Sequence, residues 1–289
     1  MFKRFLSIFF LAAGFCLIFY PGTVFAKGAE SIQIKGSDTM VNLVQAWAEE
    51  FMKKNPDALL AVTGGGSGTG FAALIGGSCD IAIASRGITP KETALAAKKG
   101  VTPREYRVAM DGLAVVVSPK NPVSKLTFDQ LAGIFTGKIK NWKEVGGKDE
   151  KIVILSREVN SGTHLYFKEH VLRKGDAKSK EEFSPDALLL PSSQAIADEI
   201  IQNPSAIGYY GMGYVGGGQK AIVVARDASA EYAGPTVDNV VNHRYPISRP
   251  LFIYTNGEPA PRVQKFLEFI LSSEGQALVE KMDFVPVKR

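Results

Sequence analysis

Cysteine and histidine are scarce in this chain: 289 residues hold two cysteines, Cys16 and Cys79, and three histidines, His164, His170 and His243. A metal centre built on these residue types needs them clustered at ligand spacing, and here they are scattered, so none is expected. Cys79 stands between Ser78 and Asp80 ahead of an apolar segment and is read as a buried structural thiol without a disulfide partner. Charge of one sign is missing too. Lys and Arg exceed Asp and Glu by only five, with no basic cluster, which gives nucleic acid no footing. After the first twenty residues no apolar run is long enough to span a membrane, and no tandem repeat is visible. The carboxylates fall without the pairing that acid–base catalysis needs, so no enzyme activity and no cofactor are expected.

What is present begins with a leader. Met1-Phe2-Lys3-Arg4 is basic, residues 5–20 are apolar, and Val24-Phe25-Ala26 precedes Lys27 as a small-residue cleavage site. These are the three parts of a secretory signal peptide over residues 1–26. An uncleaved anchor is disfavoured by the short apolar core and by Pro21-Gly22, and lipidation at Cys16 by Phe15. Cleavage removes Cys16, Lys3 and Arg4, lowers the formal charge from +5 to +3, and puts the protein in the periplasm. Residues 27–289 are enough for two lobes.

The patterning predicts an α/β fold. Strands over 31–35, 59–63 and 80–85 alternate with helices over 41–54, 71–75 and 89–99, the first of these helices capped by Asp38 or Thr39. A β-branched strand over 113–117 ends in Ser118-Pro119, and the alternation resumes with helices over 127–135, 163–173 and 193–201 and strands over 152–155, 206–210 and 221–225. Another single strand, 251–255, precedes helices over 260–271 and 273–282. We read two lobes, each a mainly parallel sheet flanked by helices: residues 27–112 plus 249–289, and residues 113–248, joined by two crossing hinge strands.

Three short segments carry chemistry. They are Gly36-Ser37-Asp38-Thr39; Gly64-Gly65-Gly66-Ser67-Gly68-Thr69-Gly70; and Arg157 followed by Ser161-Gly162-Thr163. Each places hydroxyls and approachable backbone N–H groups at a strand-to-helix turn, where unsatisfied donors and the helix dipole favour an oxyanion. Each alone is equally an ordinary helix cap; the three together point to an anion site. The Gly-rich loop lacks the Lys-Ser/Thr of a nucleotide P-loop and the spacing of a dinucleotide fingerprint, and Ser161 with His164 makes no catalytic triad.

On these residues the chain resembles the phosphate-binding proteins of bacterial phosphate-specific ABC transporters, which have the two-lobe type II periplasmic-binding-protein fold. The resemblance also includes Asp80-Ile81-Ala82-Ile83-Ala84-Ser85-Arg86, the run LAGIFTGKIKNW at 131–142, Ile207-Gly208-Tyr209-Tyr210, and Ser272-Ser273-Glu274-Gly275. It implies a dehydrated phosphate between the lobes, touched by Ser37, Thr39, Ser67, the Gly68 backbone with Thr69 beside it, Ser85, Arg157, Ser161, Gly162 and Thr163. It implies as partners the membrane permease subunits, and a monomer. The best-known branch of the family has an aspartate after the strand-end serine, accepting a hydrogen bond from protonated phosphate; here Arg86 stands there. We therefore assign that acceptor role to Asp38, and read Arg86 as a second guanidinium on the ligand or the partner of a nearby acid. The departure leaves sulfate, molybdate or tungstate as alternative ligands, with a secreted phosphatase-like enzyme as the alternative from another class.

Overall fold

A computed structural model describes residues 31–287; the signal peptide read over 1–26 lies outside the described residues. The chain opens with β1 (Ile32–Gly36), α1 (Val41–Lys54), β2 (Leu60–Thr63), α2 (Ser67–Ile75), β3 (Ile81–Ala84) and α3 (Pro90–Lys98). A 15-residue strand, β4 (Pro103–Val117), carries it into the second lobe. There follow β5 (Lys125–Thr127), α4 (Phe128–Phe135), β6 (Val153–Arg157), α5 (Gly162–Phe167), β7 (Leu188–Leu190), α6 (Ser193–Gln202), β8 (Ala206–Gly211), β9 (Lys220–Ala221), β10 (Val223–Ala225) and α7 (Val237–Val241). Strand β11 (Ser248–Asn256) leads back to α8 (Pro261–Ile270), α9 (Ser273–Lys281) and β12 (Val285–Pro286).

The main sheet runs β2-β1-β3-β11-β4-β8-β6-β7. Its outer thirds are parallel, β1 with β2 and β3, and β6 with β7 and β8; its middle is antiparallel, where β11 meets β3 and β4, and β4 meets β8. Parallel strands need crossover helices on the faces, and the antiparallel middle is what two strands running between lobes in opposite directions must form. Along β4, residues up to Gly112 pair with β11 and residues from Leu113 pair with β8.

Each lobe buries its own core. In the first, Leu43, Val44, Trp47 and Phe51 of α1 pack on Ile34, Ile83 and Ile253 of the sheet and on Phe266 and Ile270 of α8. In the second, Leu131, Ile134 and Phe135 of α4 join Val115, Val117, Phe167, Ile207 and Tyr209. At roughly 1.5–3 kcal/mol for each large apolar side chain buried, these clusters hold the lobes. Two of the sequence runs have structural explanations. Ser272 caps α9 through the Gly275 N–H at 3.2 Å, and the Gly275 carbonyl accepts from the Trp47 indole at 2.7 Å. Within the run at 131–142, a side chain on Gly133 would press within 2.7 Å of Ile139, and the Trp142 indole donates to the Ser205 carbonyl at 2.9 Å.

Helix α1 spans the expected residues, but neither Asp38 nor Thr39 caps it. Ser37 leads into a 3₁₀ turn, Asp38–Met40, without a side-chain cap, because the Asp38 carboxylate is drawn towards the other lobe. Helix α2 starts at Ser67 rather than residue 71, so the Gly-Ser-Gly-Thr run is its first turn. Helix α5 passes into a π-helix, Lys168–Leu172. Cys79 is half-buried, with its thiol pushed up to about 11, mainly by burial and then by Asp80.

Candidate anion site between the lobes

The ends of β1 and β3 and the start of α2 face the end of β6 and the start of α5. Ser37, Thr39, Ser67 and Ser85 from the first lobe, and Ser161 and Thr163 from the second, are all buried. Close approach of backbone makes this possible. Gly36 has φ +140°, its carbonyl accepts the Gly66 N–H at 2.8 Å, and a Cβ there would overlap the Ile83 carbonyl.

The hydroxyls are poised as donors. Ser67 Oγ accepts the Ser85 N–H at 3.1 Å and lies 3.4 Å from Ser85 Oγ. Ser161 Oγ caps α5, accepting from the N–H groups of Thr163 and His164 at 3.2 and 3.4 Å. A hydroxyl that accepts from the backbone keeps its own proton to give. Gly162, the first residue of α5, faces Ser67 and Ser85 so closely that a Cβ would overlap Ser67 Oγ and stand 2.8 Å from Ser85 Oγ.

The lobes touch through polar groups. Thr39 and Thr163 share a hydrogen bond of 2.9 Å between their hydroxyls. Asn160 accepts the Gly68 N–H on its carbonyl at 3.0 Å and donates its side-chain amide to the Gly65 carbonyl at 2.8 Å and to Thr69 Oγ1 at 3.3 Å. Asp38 Oδ2 accepts the Ser193 N–H at 2.6 Å and pairs with Arg157 Nη1 at 3.1 Å, and the Tyr214 hydroxyl donates to the Asp38 carbonyl at 2.9 Å.

Three guanidinium groups surround the hydroxyls, each with its own carboxylate. Arg157, 1% exposed, pairs with Asp38 and donates to the Leu190 and Pro191 carbonyls and to Ser193 Oγ, which leaves one N–H of Nη2 for a ligand. Burial lowers its pKa, and Asp38 works against that. Arg86 is committed: both terminal nitrogens reach Glu92, at 2.8 and 2.7 Å, and its Cζ stacks 5.0 Å from the Phe71 ring centre. Glu92 is held below the usual carboxylate range, against the cost of its burial, by Arg86 and the Thr89 cap. Arg249 of β11 pairs with Asp111 of β4, both fully buried, and its Nη2 reaches Thr163 Oγ1 at 3.0 Å and Thr39 Oγ1 at 3.3 Å.

The structure thus brings Thr39, Ser67, Ser85, Gly162 and Thr163 into close approach, with Ser37, Gly68 and Ser161 in the same turns, and places Arg157 beside Thr39 only through its partner Asp38. It turns Thr69 to the Gly65 carbonyl, at 2.7 Å, and to Asn160; Asp38 to Arg157 and Ser193; and Arg86 to Glu92. Sequence reasoning misses Arg249, Asp111, Ser193 and Tyr214. It also passes over Asn160, although that residue stands inside the Arg157–Thr163 segment. Among the described residues no cluster of His, Cys, Asp or Glu suits a metal, and no helix is long and apolar enough to cross a membrane.

Two α/β lobes meeting over buried hydroxyls, with two strands crossing between them, define a bilobal solute-binding protein. Known proteins agree. A model of the PBP superfamily domain matches residues 23–274. The chain is 36% identical over 270 residues to the phosphate-binding protein PstS of Bacillus subtilis, covering 91% of this chain and 84% of that one. A Clostridium perfringens protein, assigned as a phosphate ABC transporter substrate-binding protein and solved with bound phosphate, superposes with a TM-score of 0.79 at 34% identity, over 90% of this chain and all of that one. An ABC-type phosphate transport receptor from Vibrio cholerae gives 0.69 at 33% identity, over 88% of this chain and 99% of that one. The chain belongs to the PstS family of phosphate-binding proteins, within the PBP superfamily.

Proposed function

We propose that this protein captures inorganic phosphate between its lobes outside the cytoplasm and presents it, unchanged, to the permease subunits of an ABC transporter. The observation that carries the reading is the set of buried hydroxyls contributed by both lobes, in a cleft whose guanidinium charges are already balanced by carboxylates. Such a site holds an anion by short-range donors. Ser37, Thr39, Ser67, Gly68, Ser85, Ser161, Gly162 and Thr163 supply them, Arg157 adds one charged N–H, and closure desolvates the ligand. The names of the relatives and the phosphate bound in the Clostridium structure support the choice of ligand. In this reading residues 1–26 are a cleaved leader, the mature protein is periplasmic and monomeric, and the lobes are residues 27–112 with 249–289, and 113–248. The switch of β4 pairing between Gly112 and Leu113 supports that boundary.

Calorimetric titration of the leaderless protein, stripped of endogenous ligand, tests the assignment. Tight binding of phosphate with no response to sulfate is the expected result. Sulfate binding as tightly, or neither anion binding, overturns the ligand.

Asp38 stands between Ser37 and Thr39 in the chain, and its Oδ2 already joins the lobes. Asp38→Asn leaves buried Arg157 without its counter-charge and is expected to weaken phosphate binding by about 10- to 100-fold. Unchanged affinity together with unchanged rejection of sulfate removes Asp38 from the site.

A further inference from the structure

We propose that Arg249, on the hinge strand β11, is a direct ligand of the captured anion through its Nη1. The inference rests on the anion-site reading above and adds a charged donor from the hinge to those of the two lobes.

The guanidinium is locked in place. Asp111 Oδ2 accepts from Nε at 3.0 Å and from Nη2 at 2.9 Å, and the two residues are register partners on β11 and β4. The Tyr166 ring lies 5.5 Å from Cζ, and Tyr166 is itself pinned by its hydroxyl to the Ser248 carbonyl at 2.6 Å. Nη2 also serves Thr39 of one lobe and Thr163 of the other. Nη1 alone has no hydrogen-bond partner, although it is buried. A buried, unpaired donor on a cation is costly and calls for an explanation.

Planarity says where that donor points. A guanidinium carries its five N–H groups in a rigid fork. Asp111 occupies the Nε–Nη2 edge, so the other Nη2 hydrogen leaves from the tip, towards Thr39 and Thr163. One Nη1 hydrogen leaves the same tip parallel to it. The two threonine hydroxyls therefore mark the region that Nη1 faces, and an oxyanion seated on them comes within its reach. Both hydroxyls accept from Nη2 and bond to each other, so only one threonine proton is spent between them and the other remains to donate. This corner of the cleft offers N–H and O–H donors together, which suits unprotonated oxygens. Asp111 keeps the arrangement neutral; burial pushes its carboxyl up, and Arg249 and the Met212 amide oppose that.

The test pairs two changes. Arg249→Gln with Asp111→Asn removes both charges together, so that neither is left buried alone. The double variant is expected to keep a cooperative thermal transition and to bind phosphate about 10- to 100-fold more weakly than wild type. Its affinity should also lose much of the wild type's dependence on pH across the range where free phosphate passes from one charge to two. A merely structural ion pair would leave that pH slope intact. Affinity within about threefold of wild type and an unchanged slope overturn the proposal. Should the double variant not fold, Arg249→Lys keeps the charge but cannot span Asp111, the hydroxyls and the ligand; the same loss is expected, and wild-type affinity overturns the role. A wild type that binds no oxyanion overturns the anion site and this inference together, whereas a binding wild type with an unaffected variant overturns only the role of Arg249.

Discussion

Gly162→Ala is expected to weaken ligand capture by up to about 100-fold while leaving the thermal stability of the protein nearly unchanged. Gly162 begins α5 with an ordinary helical backbone, where alanine is the better helix former, so the second lobe gains nothing by keeping glycine. The need comes from the other lobe. A methyl group there overlaps Ser67 Oγ and stands 2.8 Å from Ser85 Oγ and 3.0 Å from Ser67 Cβ. Ser67 Oγ is held by the Ser85 N–H and lies against Ser85 Oγ, so the lobes must part slightly or the serines must turn, and either loses donors to the anion. Titration calorimetry beside a thermal melt checks this. An alanine variant that binds phosphate as tightly as wild type would show that closure does not pass through this contact.

The second large effect is on stability in acid. His164 is 6% exposed, its ring centre 4.4 Å from that of Phe183 and tilted 32° to it, with Nδ1 3.3 Å from Ser156 Oγ. Burial, and then the nearby Lys168, lower its pKa from 6.5 to about 4. Above 6.5 neither the folded nor the unfolded chain protonates this ring, and its contribution is fully present. Between 6.5 and about 4 the unfolded chain binds a proton that the folded one refuses, so stability falls as pH falls through this window; below it the loss is complete. The loss is at most about 3 kcal/mol, at 1.36 kcal/mol for each pH unit. Urea unfolding from pH 7.5 downwards should give a steeper pH slope for wild type than for His164→Gln. Coincident slopes would mean that the ring protonates freely in the fold.

Much of the architecture is legible in the sequence, because α1 and α4 carry apolar residues at helical spacing and β3 is a short apolar run bounded by turns. The three site turns are legible for another reason: Gly and Ser together at a strand-to-helix junction have local chemistry that needs no partner. What is hidden depends on residues far apart in the chain. Asp38 looks like a cap because capping is local, whereas its actual partners, Arg157 and Ser193, lie in the other lobe. Arg249 and Asp111 fall just outside the strands read over 251–255 and 113–117 and become a buried pair only when β11 and β4 align in register. The first half of β4 escapes notice because Arg104, Glu105 and Arg107 interrupt its apolar pattern.

The pairing of every cleft guanidinium with a carboxylate also bears on how an anion arrives. An ion pair acts at a distance as a dipole, and its field fades faster than that of a lone charge. At physiological ionic strength an oxyanion roughly 8 Å away is already at the screening length. Long-range steering from Arg157, Arg86 and Arg249 is therefore weak, and arrival is left to diffusion. Retention is decided within hydrogen-bonding distance, where dissolved salt has no room to intervene. Capture by a carrier built this way is expected to depend little on ionic strength.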